Sequence, residues 1–126
     1  MHDRISNVGQ IYTIGISNAG ILNIGDSHQA TPKARTMAIQ KEGPTIKKDL
    51  QFEDYSIFRQ KANWPKTLQS AKVRKKTIHH DVNINVRQVS LMALSTSSIF
   101  QVGNLNKISS EARVKHFRML QDNEQN

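Results

Sequence analysis

Ser17-Asn18-Ala19-Gly20-Ile21-Leu22-Asn23-Ile24-Gly25-Asp26 is the stretch on which the reading of this chain turns. A polar turn leads into four mostly branched, apolar residues, and a Gly-Asp bend closes them, as in a short strand held between two turns. The same pattern returns 78 residues later as Ser95-Thr96-Ser97-Ser98-Ile99-Phe100-Gln101-Val102-Gly103-Asn104. Extending the pairing without a gap sets residues 7–41 against 85–119. Identities fall at Asn7/Asn85, Val8/Val86, Gln10/Gln88, Ser17/Ser95, Ile21/Ile99, Gly25/Gly103, Ala34/Ala112 and Arg35/Arg113. Composition alone would give roughly two, so the chain contains an internal duplication.

Outward from that stretch, residues 5–16 read as a strand with Val8, Tyr12, Ile14 and Ile16 on one face and Ile11 on the other. The turn at Ser17–Gly20 has hairpin length, so an antiparallel return through Leu22 and Ile24 is expected. Residues 31–42 and 109–120 carry mixed signals. Thr31-Pro32 and the spacing of Val114, Phe117 and Leu120 suit a helix, whereas Met37/Ile39 and Phe117/Met119 alternate as in a strand. Strand is preferred, because a hairpin needs a third strand to be stable. Val82-Asn83-Ile84-Asn85-Val86-Arg87 alternates cleanly; Val89 and Leu91 then use the other face, which predicts a bulge near Arg87-Gln88. The expected fold is mainly β: two pseudo-repeated three-stranded antiparallel units, residues 5–42 and 82–120, packed into one small sandwich or barrel-like domain spanning 1–126. A joining segment, 43–81, carries most of the aromatics, with Trp64-Pro65 plugging one end of the core. The tail 121–126 has nothing to bury and is expected to be disordered.

Composition narrows the function. The 126 residues suit one domain, and the absence of cysteine removes disulfides and thiolate metal sites. The charged start Met1-His2-Asp3-Arg4 precedes no apolar run of signal-peptide length, and no stretch approaches the ~20 apolar residues of a membrane span. The expectation is a chain without a signal peptide and without membrane insertion. Its net charge of +8, from 18 Lys plus Arg against 10 Asp plus Glu, predicts attraction to polyanions without naming one.

Reactive constellations are missing. His79-His80-Asp81 has metal-ligand residue types, but adjacent histidines on a strand face opposite ways. His116, between Lys115 and Phe117, has no neighbouring carboxylate to make it a general base. Ser95–Ser98 lack a nucleophile-elbow setting, and Gly15, Gly20 and Gly25 are followed by no phosphate-loop helix. No catalytic, cofactor-binding or metal residue is therefore assigned, and the chain reads as a non-enzyme. The basic run Lys72-Val73-Arg74-Lys75-Lys76, with Arg113, Lys115 and Arg118, leaves a nucleic-acid-binding protein as the alternative. That alternative lacks the interleaved aromatic platform such a sheet uses, since the aromatics lie mostly in the joining segment.

Beyond composition, Gly20-Ile21-Leu22-Asn23-Ile24-Gly25-Asp26 followed by Thr31-Pro32-Lys33 resembles the signature of the small GerP spore germination proteins. Ile14-Gly15-Ile16-Ser17, Asn23-Ile24-Gly25-Asp26-Ser27, Ala38-Ile39-Gln40-Lys41-Glu42, Ser95-Thr96-Ser97-Ser98 and Glu111-Ala112-Arg113-Val114-Lys115-His116 bring it nearest the GerPE family. The last of these is the most specific, and the middle third matches only loosely. The resemblance implies a protein made in the mother cell and placed in the spore coat. Members of the family make the coat permeable to small germinants bound for receptors at the inner membrane. It implies no catalytic residue. The partners it points to are other coat or GerP-type proteins, met through strand edges.

Overall fold

The computed structural model describes residues 3–41, 50–64, 74 and 76–119. Eight strands appear in two sets of four: β1 (Ile5–Ile16), β2 (Ile21–Ile24), β3 (Ser27–Ala30) and β4 (Lys33–Lys41), then β5 (Asn83–Leu94), β6 (Ile99–Val102), β7 (Leu105–Ile108) and β8 (Glu111–Met119). A 3-10 turn (Phe52–Asp54) and a short helical turn, α1 (Ser56–Arg59), lie between the sets.

The mainly β class holds, but the pairing differs from the antiparallel units expected. Each strand pairs, in parallel, with its own repeat: β1 with β5, β2 with β6, β3 with β7 and β4 with β8. The register is the duplication itself, Val8 opposite Val86, Ile21 opposite Ile99 and Arg35 opposite Arg113. The molecule is two similar rungs, one laid on the other, with residues 43–81 as the long crossover that parallel pairing requires.

The turn at 17–20 shows why the hairpin fails. Asn18 and Ala19 have φ of 47° and 60°, and the Gly20 amide donates to the Ser17 carbonyl, a tight turn with both central residues left-handed. The flanking amides do not cross that turn. Ser17 N–H donates to Leu94 O and Ile21 N–H to Ser98 O, both in the other rung. The turn is therefore a corner in a rung. Thr96 and Ser97 repeat it with φ of 51° and 61°, and Gly25 and Gly103 share a second corner at 111° and 121°. Parallel stacking in this register sets Val8 beside Val86, Ile21 beside Ile99 and Ile24 beside Val102, and the amides of Asn7 and Asn23 beside those of Asn85 and Gln101.

Residues 31–42 and 109–120 resolve as strand over Lys33–Lys41 and Glu111–Met119. The third strand of each rung, Ser27–Ala30 and Leu105–Ile108, is additional to the three expected, and it had no alternating apolar signal in the first copy. The predicted bulge is instead a kink shared by both strands. Pairing lapses at Gly9/Arg87 and again at Ile14/Met92, yet the register is unchanged beyond each. A Cβ on Gly9 would sit 2.7 Å from Arg87 O, so glycine alone permits that approach. Val89, opposite Ile11, and Leu94, opposite Ile16, are buried, while Tyr12, Ile14 and Ile16 are 53%, 86% and 46% exposed. Val8 and Ile11, on opposite faces of β1, are both half-buried, whereas Tyr12 and Ile14 stand in solvent. Among the described residues the buried apolar positions are few: Pro32, Ala34, Val89, Leu94 and Val102.

Trp64 is half exposed and does not plug the core. That covering is done by Phe52, Tyr55 and Phe58. Phe52 meets Phe58 edge-on at 4.9 Å, and Tyr55 meets Phe117 of β8 at 5.1 Å. Pro65, the lysines of the basic run at 72 and 75, and the tail 121–126 lie outside the described residues.

Candidate functional site

The Asn23–Ser27 motif forms the second corner and carries the best-defined polar geometry. Asn23 Nδ2 donates to Gln101 Oε1 at 3.0 Å, its counterpart in the other rung, and to Ser27 Oγ at 2.7 Å. Gln101 Nε2 donates to Gly25 O at 2.6 Å. Asn7 Nδ2 repeats the amide step with Asn85 Oδ1 at 3.0 Å, and Ser17 Oγ meets Ser95 Oγ at 3.3 Å. Side by side, these residues build ladders that run across the rungs.

Asp26 ends the motif. Arg4 grips its carboxylate with two bonds, Nε to Oδ2 at 2.9 Å and Nη2 to Oδ1 at 2.8 Å, and the Asn104 amide adds a third at 2.7 Å. The Arg4 bonds, then the Asn104 amide, hold the Asp26 carboxyl below the usual carboxylate range; in return Arg4 is raised. Sequence reasoning passed over this pair. The signal was in the duplication, because Arg4 and Asp26 are Val82 and Asn104 in the second copy, so both charges vanish together. His79 sits 3.2 Å from Arg4 Nη1, while Asp81 accepts the Asn83 amide at 2.8 Å and starts β5. The His79-His80-Asp81 cluster is thus drawn into separate contacts. Among the described residues no group of three His, Asp or Glu is placed to hold a metal ion.

Beside the motif lies a cavity of about 320 Å³ inside the β2–β3 loop. Ile21, Asn23, Gln29 and Pro32 line it together with Ile99 and Gln101, and no titratable side chain is among its walls. His116 is exposed on β8, opposite Ala38. Ser97 is buried, its hydroxyl donating to Glu111 O at 2.7 Å and its carbonyl accepting from Ser110 Oγ at 2.5 Å, which closes the loop of the second rung. The serines are structural.

Three cationic residues of β4 and β8, Arg35, Arg113 and Lys115, face the joining segment. Arg35 lies over the Phe52 ring at 4.7 Å and near Glu53 at 3.8 Å; Lys115 lies 5.2 Å from both Tyr55 and Phe117. Arg113 reaches Glu111 at 3.2 Å and the Gln60 carbonyl at 3.2 Å. Arg35 and Arg113 stand directly opposite each other, an arrangement that repels. Glu53, Glu111 and the Phe52 ring offset that repulsion, which is one reason the joining segment docks here.

The strand edges remain. Ile21, Gly25 and Ser27 direct their amides to carbonyls of the second rung, so the alternating amides of Leu22 and Ile24 face the opposite side. Among the described residues no strand pairs with that side of the first rung. Ile5, Ile16 and Ile24 are 53%, 46% and 41% exposed in the same rung. No helix of the described residues is long and apolar enough to cross a membrane.

Comparison with known proteins supplies the family. The model of the spore germination protein GerPE family matches residues 5–125. A probable spore germination protein GerPE of Bacillus cereus is 27% identical over 120 residues, covering 94% of this chain and 92% of that protein. No solved structure matches. With both rungs and the crossover inside the matched region, the chain belongs to the GerPE family of spore germination proteins.

Proposed function

We propose that this chain is a non-enzymatic structural component of the spore coat. In this reading it is made in the mother cell and keeps the coat permeable, so that small germinants reach their receptors at the inner membrane. The observation that carries the reading is the family match across residues 5–125, which ties the chain to germination. The geometry suits such a role. Amide pairs such as Asn7–Asn85 and Asn23–Gln101 join rung to rung, and the exposed features include strand edges and apolar side chains of the kind used in assembly. Its partners would be other coat or GerP-type proteins, met along those edges. The basic residues Arg35 and Lys115 already face aromatic rings of the same chain, so they add nothing to a nucleic-acid reading.

The test is a strain lacking this chain. Its intact spores should respond slowly to amino-acid and nucleoside germinants, and chemical removal of the coat should restore a normal response. Intact mutant spores that germinate at the wild-type rate would overturn the proposal, as would a defect that persists after decoating.

A further inference from the structure

We propose that the open edge of the first rung receives the second rung of another copy of the same chain, so that copies stack head to tail in one continuous parallel ladder. The chain itself shows what kind of neighbour a rung accepts. Its second rung lies on the other side of its first with all four strands in register, and because the two rungs follow the same path, the second rung of another copy could pair with the open side in the same order. Three features favour a copy as the occupant.

Polarity is the first. A Cβ on Gly103 would fall 2.7 Å from Gly25 O, so at this corner the second rung faces down onto the first. Gly25 has nearly the same backbone, yet its Cβ would meet no atom of the described residues within 4 Å, so among them the matching space beneath the first rung is open. Side-chain exposure agrees. Ile16 and Ile24 are 46% and 41% exposed, whereas Leu94 and Val102, which occupy the same positions one rung up, are 7% and 8% exposed. A rung placed below the first would bring Ile16 and Ile24 to the environment Leu94 and Val102 already have.

The second feature is chemistry that propagates. Amide pairs such as Asn7–Asn85 and Asn23–Gln101 join like to like in register, and such ladders extend from chain to chain when parallel strands stack. The third is charge placement. Stacking would bring Glu111 of one copy against Lys33 of the next, as within the chain. It would also bring Arg113 near Arg35, but each arginine carries its own acidic neighbour, Glu111 and Glu53. The net charge of +8 opposes association at low ionic strength, and salt relieves it. Because one surface meets a different one, the arrangement does not close on itself and grows as a stack, each copy adding about 9–10 Å, two strand spacings.

This inference goes beyond the coat reading and is tested on the purified full chain. Sedimentation velocity across a wide concentration range should show mass rising with concentration and with salt. Ile16→Lys and Ile24→Lys, which place charge on the open edge, should keep the chain monomeric while leaving its circular dichroism and melting temperature close to those of the native chain. The native sequence has no cysteine, so single cysteines report the geometry. A mixture of Asn7→Cys and Asn85→Cys chains should form a mixed disulfide on oxidation, and neither variant alone should. A native chain that stays monomeric at all concentrations and salts overturns the inference, as does a disulfide formed by Asn7→Cys or Asn85→Cys alone without the mixed product. A monomeric chain would leave the coat role standing, and normal germination of the deletion strain would leave the stack standing.

Discussion

The two rungs follow the same path through unequal surroundings. Leu94 and Val102 in the second are 7% and 8% exposed; their counterparts Ile16 and Ile24 in the first are 46% and 41% exposed. The corner that Ser97 and Ser110 tie together by hydroxyl bonds in the second rung is occupied by Ala19 and Pro32 in the first. Conversely, only the first rung has the Arg4–Asp26 pair. Each rung therefore secures its loop by its own means: hydroxyls on buried carbonyls above, an ion pair at the surface below. The shared register fixes the path of both rungs, and the residues that differ between them give each corner its own fastening.

Truncating equivalent side chains should reveal that inequality most strongly. Leu94→Ala removes a buried side chain and should cost about 3 kcal/mol, whereas Ile16→Ala should cost less than about 1 kcal/mol because its side chain is already half in water. Chemical denaturation of the purified chains under conditions where they are monomeric measures both. Equal losses would mean that the rungs are equally covered. Next in size is the glycine corner. Gly25→Ala forces a side chain into positive φ for about 1 kcal/mol. Gly103→Ala adds a backbone clash at 2.7 Å to the same strain, and its melting temperature should fall about twice as far. If the two glycine variants melt together, the second rung does not press on the first at this corner.

A third comparison sets Phe117 against Ile39, its partner in the ladder. Phe117 meets Tyr55 at 5.1 Å, while Ile39 is 49% exposed. Phe117→Ala should therefore release the joining segment, seen as faster proteolytic cleavage between residues 50 and 64, at a cost of about 1–2 kcal/mol. Ile39→Ala should leave the cleavage rate unchanged.

The 78-residue offset that sets the register, the positions of the turns and most of the strands could be read from the residues. Gly25 and Gly103 marked bends because nothing else tolerates their φ, and branched residues marked strands. The direction of pairing could not be read. A four-residue turn such as Ser17–Gly20 has the same local chemistry whether its flanks bond to each other or to another rung, and only the long-range partners Leu94 and Ser98 decide it. How far each side chain of β1 is covered could not be read either. Alternation groups Val8, Tyr12, Ile14 and Ile16 on one face, but cover depends on what packs there, and Tyr12 and Ile14 are 53% and 86% exposed. Ser27-His28-Gln29-Ala30 gave no apolar signal at all; pairing with Leu105–Ile108 makes it a strand. At the Gly-Asp motif the bend was legible and its ionic partner was not, because Arg4 lies 22 residues away with no pattern joining them.

That ion pair gives the smallest predicted effect and the sharpest distinction between the rungs. Asp26→Asn makes the first corner resemble the second, where Asn104 stands. The Asp26 carboxyl titrates below its ordinary range in the folded chain, chiefly through the Arg4 bonds and then the Asn104 amide. A depressed folded-state value means that the stabilisation is complete above the unfolded carboxylate pKa and disappears as pH falls through the folded one. Native chain and Asp26→Asn should therefore differ in melting temperature at neutral pH and converge below the usual carboxylate range. The gap at neutral pH should also shrink with salt, since the Asp26 side chain is 41% exposed. The matching substitution Asn104→Asp should bring no gain, because Val82 stands where a second arginine would be needed and the new carboxylate would lie beside Asp26. Parallel melting curves for native chain and Asp26→Asn across the whole acid range would mean that the pair is ornamental, and that the first rung holds its corner by the glycine and the amide ladder alone.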